Sequence, residues 1–388
     1  MMHEIAPALE RLAPRSSSEM RVALIHYWLV GMRGGEKVLE ALCRMFPQAD
    51  IYTHVVVPDA LSETLRRHRI RTTFIAGLPM AATQYRKYLP FMPRALEQLD
   101  LSGYDLVLSS ESGPAKGVIG PPEAPHLCYC HSPMRYLWDQ YHTYRDGAGW
   151  LTRQVMPHVA HRLRQWDVTS AARVDRFVAN STHVAARIRK YWRREAGIVH
   201  PPVNVEAFAP VPQAELGDFY LWAGELAPYK RPDIVIEAFN RLGRKLVVIG
   251  GPDKTVAARQ ARAKDNIVFL GHVSFDVLKS QMARCKALLF PGEEDFGITP
   301  VEAMASGRPV IAYGRGGALD TVIDGETGLL FPEQSPEGLI SAIERFEADG
   351  LDRPDTARLL AHAKRFDEAS FRAGMECELL KQGVRVVQ

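Results

Sequence analysis

The chain has 388 residues, longer than one hydrophobic core usually grows, so two domains are the starting expectation. Its 46% hydrophobic and 24% charged content is that of a soluble globular protein, and a formal charge of +3 supplies no global basic field that would argue for nucleic acid. No apolar run reaches the roughly 18 residues of a membrane-spanning helix, and the first twenty residues lack the apolar core of a signal peptide. The expectation is a cytoplasmic protein with a disordered polar leader over 1–20.

Beyond the leader, apolar runs alternate with helical patterns, the signature of parallel sheets built from βαβ units. In the first half the expected strands are RVALIH (21–26), YDLVLSS (104–110), PHLCYCH (125–131) and RFVANS (176–181). The first leads into HYWLVGMRGGEKVLEAL, where Gly34 and Gly35 precede a helix expected near Glu36 and let backbone approach a phosphate or sugar. This is not GxGxxG, which counts against a dinucleotide dehydrogenase. Residues 84–94, QYRKYLPFMPR, set Arg86, Lys87 and Arg94 among aromatic groups. They read equally as an amphipathic helix with a Pro-rich end and as a face for a lipid-linked diphosphate sugar. From Arg153 to Arg194 cations recur, interleaved with Trp166, Tyr191 and Trp192. This is either a solvated helix face or a surface drawn peripherally to anionic lipid on the inner face of the membrane. The five cysteines are odd in number and scattered, which suits reduced thiols. Cys128, Cys130 and His131 invite a zinc reading, but no second ligand pair follows, and no metal site is expected.

Residues 200–218, dense in Pro and poor in pattern, read as an interdomain linker. After it come strands expected at FYLWAGEL (219–226), KLVVIGG (245–251), NIVFLG (266–271), ALLF (287–290) and PVIAYG (309–314). The fold class is therefore α/β, two doubly wound parallel-sheet domains whose carboxyl-terminal strand ends face a shared cleft. The richest stretch is PGEEDFGITPVEAMASG, 291–307. Glu294 sits just beyond the ALLF strand. Thr299, Pro300 and Glu302 fit a capping box, so a helix is expected from about 300 to Gly307 with its amides facing an anion. Glu302 on its own reads as a cap. Glu294 has no such role, and with Glu293 it places carboxylates, good acceptors for hydroxyls, beside a site suited to phosphate. A ligand anionic at one end and rich in hydroxyls at the other is a sugar nucleotide.

The run from Glu294 to Gly307, followed by PVIAYGRGGALDTVIDGETGLLF, resembles the donor half of retaining glycosyltransferases with the GT-B fold, more narrowly their large fourth sequence family. In the first half, GGEKVLEAL, DLSGYDLVLSSES and CYCHSPMRYLWDQY resemble a bacterial branch that uses GDP-mannose to build surface polysaccharides. The similarity runs from about residue 20 to the end. It implies two Rossmann-like domains: an acceptor domain over 21–203, completed by a last helix within 366–388, and a nucleotide-sugar donor domain over 204–365. By the same resemblance Glu294 holds hydroxyls of the donor sugar and Glu302 the ribose, while Phe296, Gly297, Ile298 and Thr299 serve sugar and diphosphate. Gly34 and Gly35 adjoin the donor, Val273 lies by the base, and His131 faces the reacting sugar. Where the family clamps the diphosphate with an Arg and, five residues on, a Lys, this chain has Glu225 and Lys230, and Arg231 is expected to take over part of the charge.

The implied activity is metal-independent hexosyl transfer with retention, to a saccharide or lipid-linked saccharide. The co-substrate is a nucleotide sugar, GDP-sugar favoured over UDP-sugar, and no cofactor is expected. No Asp-any-Asp triplet stands in a loop to carry a metal. Two readings from other classes stay open: a sugar-nucleotide epimerase of the same architecture, and a catalytically weak nucleotide-sugar-binding protein, for which Glu225 speaks.

Overall fold

The structure is a computed structural model and describes residues 20–251 and 260–386. The expected leader lies almost wholly outside the described residues. The chain divides into two compact units, one running to Pro201 and resuming at Phe371, the other Pro202–Ser370.

In the first unit seven strands form one parallel sheet in the order β3-β2-β1-β4-β5-β6-β7. They are β1 (Val22–His26), β2 (Asp50–Thr53), β3 (Ile70–Thr72), β4 (Leu106–Glu111), β5 (His126–Cys130), β6 (Arg176–Ala179) and β7 (Ala196–Ile198). Every residue of β1, β4 and β5 is buried, as a parallel sheet covered on both faces demands. Helix α1 (Gly34–Met45) presses Val38, Leu39 and Leu42 onto the same core as Leu24 and Leu108. Its start is two residues earlier than expected, because Glu36 sits at the third helical position and reaches back to the Arg33 amide at 3.0 Å.

The cationic stretch falls on α2 (Trp150–Ala171), β6 and α3 (Thr182–Trp192), and much of it fastens the unit together. Arg187 is buried and donates to Ser132 Oγ at 2.8 Å, Arg173 pairs with Glu97 at 2.6 Å, and Arg194 donates to the Ala171 and Val174 carbonyls. These three are engaged within the unit, whereas Arg153, Arg162, Arg189, Lys190 and Arg193 of the same stretch are exposed. The segment 84–94 is not one amphipathic helix: Pro90 lies in a tight 3₁₀ run, Tyr85–Phe91, that gives way to a short helix, Met92–Glu97. Arg86, Lys87 and Arg94 are all exposed on it.

The second unit carries six parallel strands in the order β10-β9-β8-β11-β12-β13. These are β8 (Tyr220–Ala223), β9 (Leu246–Ile249), β10 (Ile267–Gly271), β11 (Leu288–Phe290), β12 (Val310–Tyr313) and β13 (Gly328–Phe331). Helix α4 (Pro232–Leu242) follows β8, and α5 (Ile298–Ala305) follows β11. The last helix, α6 (Glu368–Leu380), buries Phe371, Met375 and Leu379 in the core of the first unit. Both sheets are doubly wound as expected, and in each the strand order reverses once, between β1 and β4 and between β8 and β11. A ligand crevice opens at such a reversal, beyond the carboxyl ends of the strands. Among the described residues no helix is long and apolar enough to cross a membrane.

Candidate active site

At the first reversal, polar residues end otherwise apolar strands. His26 closes β1 and is register partner to Ser110 of β4, and His131 follows β5 directly, its amide bonded to the Glu111 carbonyl at 2.8 Å. The Ser110 hydroxyl lies 3.0 Å from His26 Nδ1 and 2.8 Å from His131 Nε2. Glu36, on the first turn of α1, brings Oε1 to 3.9 Å from His26 Nε2. The ring of His131 is held edge-on by Tyr129, 5.2 Å between centroids. Burial, reinforced by His26, pushes His131 down to about 3, so its imidazole is neutral. Burial works against ionisation of Glu36, but His26 and the backbone amides around Arg33 outweigh it and hold the carboxyl below its usual range. Gly34 and Gly35 are the first two helical residues of α1. A side chain at Gly35 would meet the Tyr27 hydroxyl at 2.1 Å, so the close approach requires glycine there.

Sequence reading found His131 and missed His26, Ser110 and Glu36. The signal was present in the polar residues that end VALIH and LVLSSE, and only the strand pairing shows that they meet. Cys128 and Cys130 turn the other way, into an apolar cluster with Phe177 and Trp192, which separates them from His131. Among the described residues no group of three or more His, Cys, Asp or Glu side chains is placed to hold a metal ion.

At the second reversal the loops after β8 and β11 meet. Lys230, from the β8 loop, donates to Glu294 Oε1 at 2.8 Å. Burial opposes the charge on Lys230, yet Glu294 overcomes it, with a smaller contribution from Glu225, and its pKa is raised. Phe296 is buried in the core beside Phe366, 5.7 Å between rings. Its backbone and that of Glu294 lie against Gly316 and Gly317, where a Cβ would come within 2.4 Å of the Glu294 carbonyl and 2.2 Å of Phe296 Cα. The Gly317 amide donates to the Glu294 carbonyl at 2.8 Å. Val273 and Ile298 both pack partly buried on the core of this unit.

One expectation is corrected here. Helix α5 begins at Ile298 with Gly297 as its cap, not at Pro300 with Thr299, and no side chain caps it. The reason is backbone geometry: Gly297 has φ 89°, a left-handed turn that glycine makes at no steric cost, and so swings the chain into the helix before Thr299 is reached. Glu302 therefore lies beyond the first turn and is not a capping residue. By helix geometry the amides of Ile298 and Thr299 have no acceptor within α5, and they stand at its positive end. Arg231 directly precedes α4. Its guanidinium is taken by Asp233, at 2.9 Å, and by Gln334, at 3.1 Å. Glu225 is exposed, and its side chain makes no ion pair with a described residue. Glu225 and Arg231 do not pair, because Arg231, itself at φ 51°, caps the start of α4 and meets the acid two residues on.

Residues 205–366 match the family model described as glycosyl transferases group 1, and residues 32–207 match that of glycosyltransferase family 4. Together the two models run from residue 32 to residue 366, and over that span the chain is similar to group 1 and family 4 glycosyltransferases. A curated relative, the D-inositol 3-phosphate glycosyltransferase of Streptomyces bingchenggensis, is 31% identical to this chain over 225 residues, 50% of each chain. The protein of the same description from Streptomyces avermitilis is 28% identical over 320 residues, 65% of this chain and 68% of its own. The match to the first of these thus spans only half of the relative's length. Among solved structures, Anabaena HepE in complex with UDP-glucose superposes with a TM-score of 0.68 at 16% identity, over 94% of this chain and 100% of that one. The sucrose-phosphate synthase of Thermosynechococcus elongatus gives 0.70 at 19% identity, over 94% and 99%. At these identities the likeness speaks for the fold, and that fold is GT-B.

Proposed function

We propose that this glycosyltransferase moves a hexosyl group, with retention, from a nucleoside diphosphate sugar to an acceptor hydroxyl, using no divalent metal and no cofactor. The observation that carries the reading is the Lys230–Glu294 pair at the second reversal, beside the amino end of α5. Departure of a diphosphate builds negative charge, which a partly buried ammonium and helix amides stabilise without reorganising. Glu294, neighbouring the cation, accepts hydroxyls of the sugar, and Glu302 those of the ribose. Val273 lies by the base, and Gly34 and Gly35 bring α1 amides towards the ligand. His131 takes a hydroxyl of the reacting sugar. In this reading the acceptor proton passes to a donor phosphate oxygen as the bond to the leaving group breaks, on the same face of the ring.

The donor proposed is GDP-mannose, supported by the motifs of the first half, and the acceptor a saccharide or lipid-linked saccharide of surface polysaccharide assembly. The exposed Arg86, Lys87 and Arg94 suit an acceptor diphosphate, and an enzyme working peripherally at the inner membrane face. A second reading, a UDP-hexose donor with a phosphorylated polyol as acceptor, is favoured by the names of the curated relatives and by the UDP-glucose complex among the structural neighbours.

A thermal-shift panel of GDP, UDP, ADP and their sugar forms separates the two. A ligand at a hundredfold excess over its dissociation constant stabilises the folded state by about 2.7 kcal/mol. The largest shift is expected with GDP and GDP-mannose. A larger shift with the uridine forms selects the second reading, and no shift with any nucleotide overturns both.

A further inference from the structure

The contacts around Ser110 form a chain with a direction. Its hydroxyl stands between two imidazoles, 3.0 Å from His26 Nδ1 and 2.8 Å from His131 Nε2. A hydroxyl has a single proton, so it donates to one ring and must accept from the other if both contacts are hydrogen bonds. The whole chain therefore has one of two polarities.

The choice is made at its far end. His26 Nε2 is buried without a hydrogen-bond partner among the described residues, and what it faces, at 3.9 Å, is Glu36 Oε1. The other oxygen of Glu36 is committed to the Arg33 amide at 3.0 Å, so the carboxylate cannot turn away. An anion in that place favours the proton on His26 Nε2. His26 Nδ1 is then a bare acceptor and takes the Ser110 proton. Ser110 in turn accepts from His131 Nε2–H. That leaves His131, neutral and carrying one proton, with a lone pair on Nδ1, an atom that bonds to no described residue.

We propose that Glu36, His26 and Ser110 are positioning residues that hold His131 in its Nε2–H tautomer, so that Nδ1 presents an acceptor to a substrate hydroxyl. The first half of this statement stands on geometry alone, and the second rests on the glycosyl-transfer reading. It also predicts a reversal. In Glu36→Gln the side-chain carbonyl is needed by the Arg33 amide, which turns the amide NH₂ towards His26 Nε2. That nitrogen must then be an acceptor, His26 becomes Nδ1–H, Ser110 reverses, and His131 becomes Nδ1–H as well. Glutamine still serves at the third position of the helix, so α1 keeps its start.

Nitrogen-15 NMR of labelled histidines at about pH 8, above the ordinary imidazole range, distinguishes the tautomers directly. In the wild type both His26 and His131 are expected as Nε2–H, and in Glu36→Gln both as Nδ1–H. In Ser110→Ala the link is cut, and adding Glu36→Gln to it should no longer change His131. A wild-type His131 found as Nδ1–H, or one unmoved by Glu36→Gln, overturns the inference whether or not the enzyme proves active. If wild-type activity is found, Glu36→Gln should lower kcat about tenfold with the donor KM little altered, the mark of an interaction gained in the transition state. A reversed tautomer with undiminished kcat would contradict the role towards the substrate hydroxyl and leave the chain itself established.

Discussion

Glu294 carries no structural duty that a glutamine could not perform, since its side chain bonds only to Lys230 among the described residues. Glu294→Gln should therefore keep the fold and hold nucleotide affinity within about threefold, while turnover drops at least about a hundredfold, near 2.7 kcal/mol of barrier. Steady-state kinetics beside calorimetric titration of nucleotide check this, and equal losses in both would assign Glu294 to binding alone. Glu225 makes the opposite case. Because Arg231 is occupied by Asp233, Glu225→Arg displaces no existing pair and adds a cation near Lys230. Titration should show nucleotide binding about tenfold tighter, roughly 1.4 kcal/mol, and weakening would mean that Glu225 orders the loop. Glu294 and Lys230 could be read from sequence because each stands just past an apolar run, where a strand must end. The fate of Arg231 could not, because a left-handed backbone and an acid two residues away decide it.

Helix α5 shows what an element hides. The Thr-Pro-x-Glu spacing is a sound start signal, yet the turn is made by Gly297, whose Cβ, were there one, would stand 2.8 Å from the Phe290 ring at φ 89°. Gly297→Ala should cost about 1–2 kcal/mol from the backbone alone, and more from the ring it displaces, read as a fall of several degrees in Tm together with weaker nucleotide binding. Glu302→Gln, beyond the first turn, should leave Tm within about one degree and weaken donor binding, and a matched fall in Tm would restore its capping role. Among the strands, β1, β4 and β5 were legible because burial on both faces makes them unbroken apolar runs. The edge strands β3 and β7, three residues each and half-exposed, have no such pattern. β13 opens on Gly328, a weak strand former kept because a Cβ would fall 2.0 Å from the Val310 carbonyl of the neighbouring strand.

At the scale of the molecule, the first unit has a built-in acid sensitivity. Burial pushes His54 and His126 down to about 4 and His131 to about 3, so in the folded chain they refuse protons that the unfolded chain takes up below about 6.5. Each loses about 1.4 kcal/mol of stability per pH unit as pH falls through that window. Glu111 works the other way. Buried with the Lys116–Asp167 pair, it is pushed up to about 7 by burial, against Lys116, and takes a proton in the folded state before the unfolded state does. The balance is two protons, so stability should fall by roughly 2.7 kcal/mol per unit below about pH 6. A Tm that stays flat from pH 6.5 to 5 would contradict it. The division into two sheets and the doubly wound order were legible because length and alternating runs determine them. The polar chain from Glu36 to His131 was not, because its members lie far apart in sequence.

The central claim, transfer of a sugar away from its nucleotide by the Lys230–Glu294 site, is tested most directly by following nucleotide sugars and their products in the presence of chelator. Wild-type enzyme with a panel of acceptors should release a nucleoside diphosphate from one hexose donor and yield a glycoside of unchanged anomeric configuration. Lys230→Ala and Glu294→Gln should each release it at least about a hundredfold more slowly. An intact nucleotide carrying an epimerised sugar, tight binding with no turnover, or turnover abolished by the chelator and restored by magnesium would contradict the account.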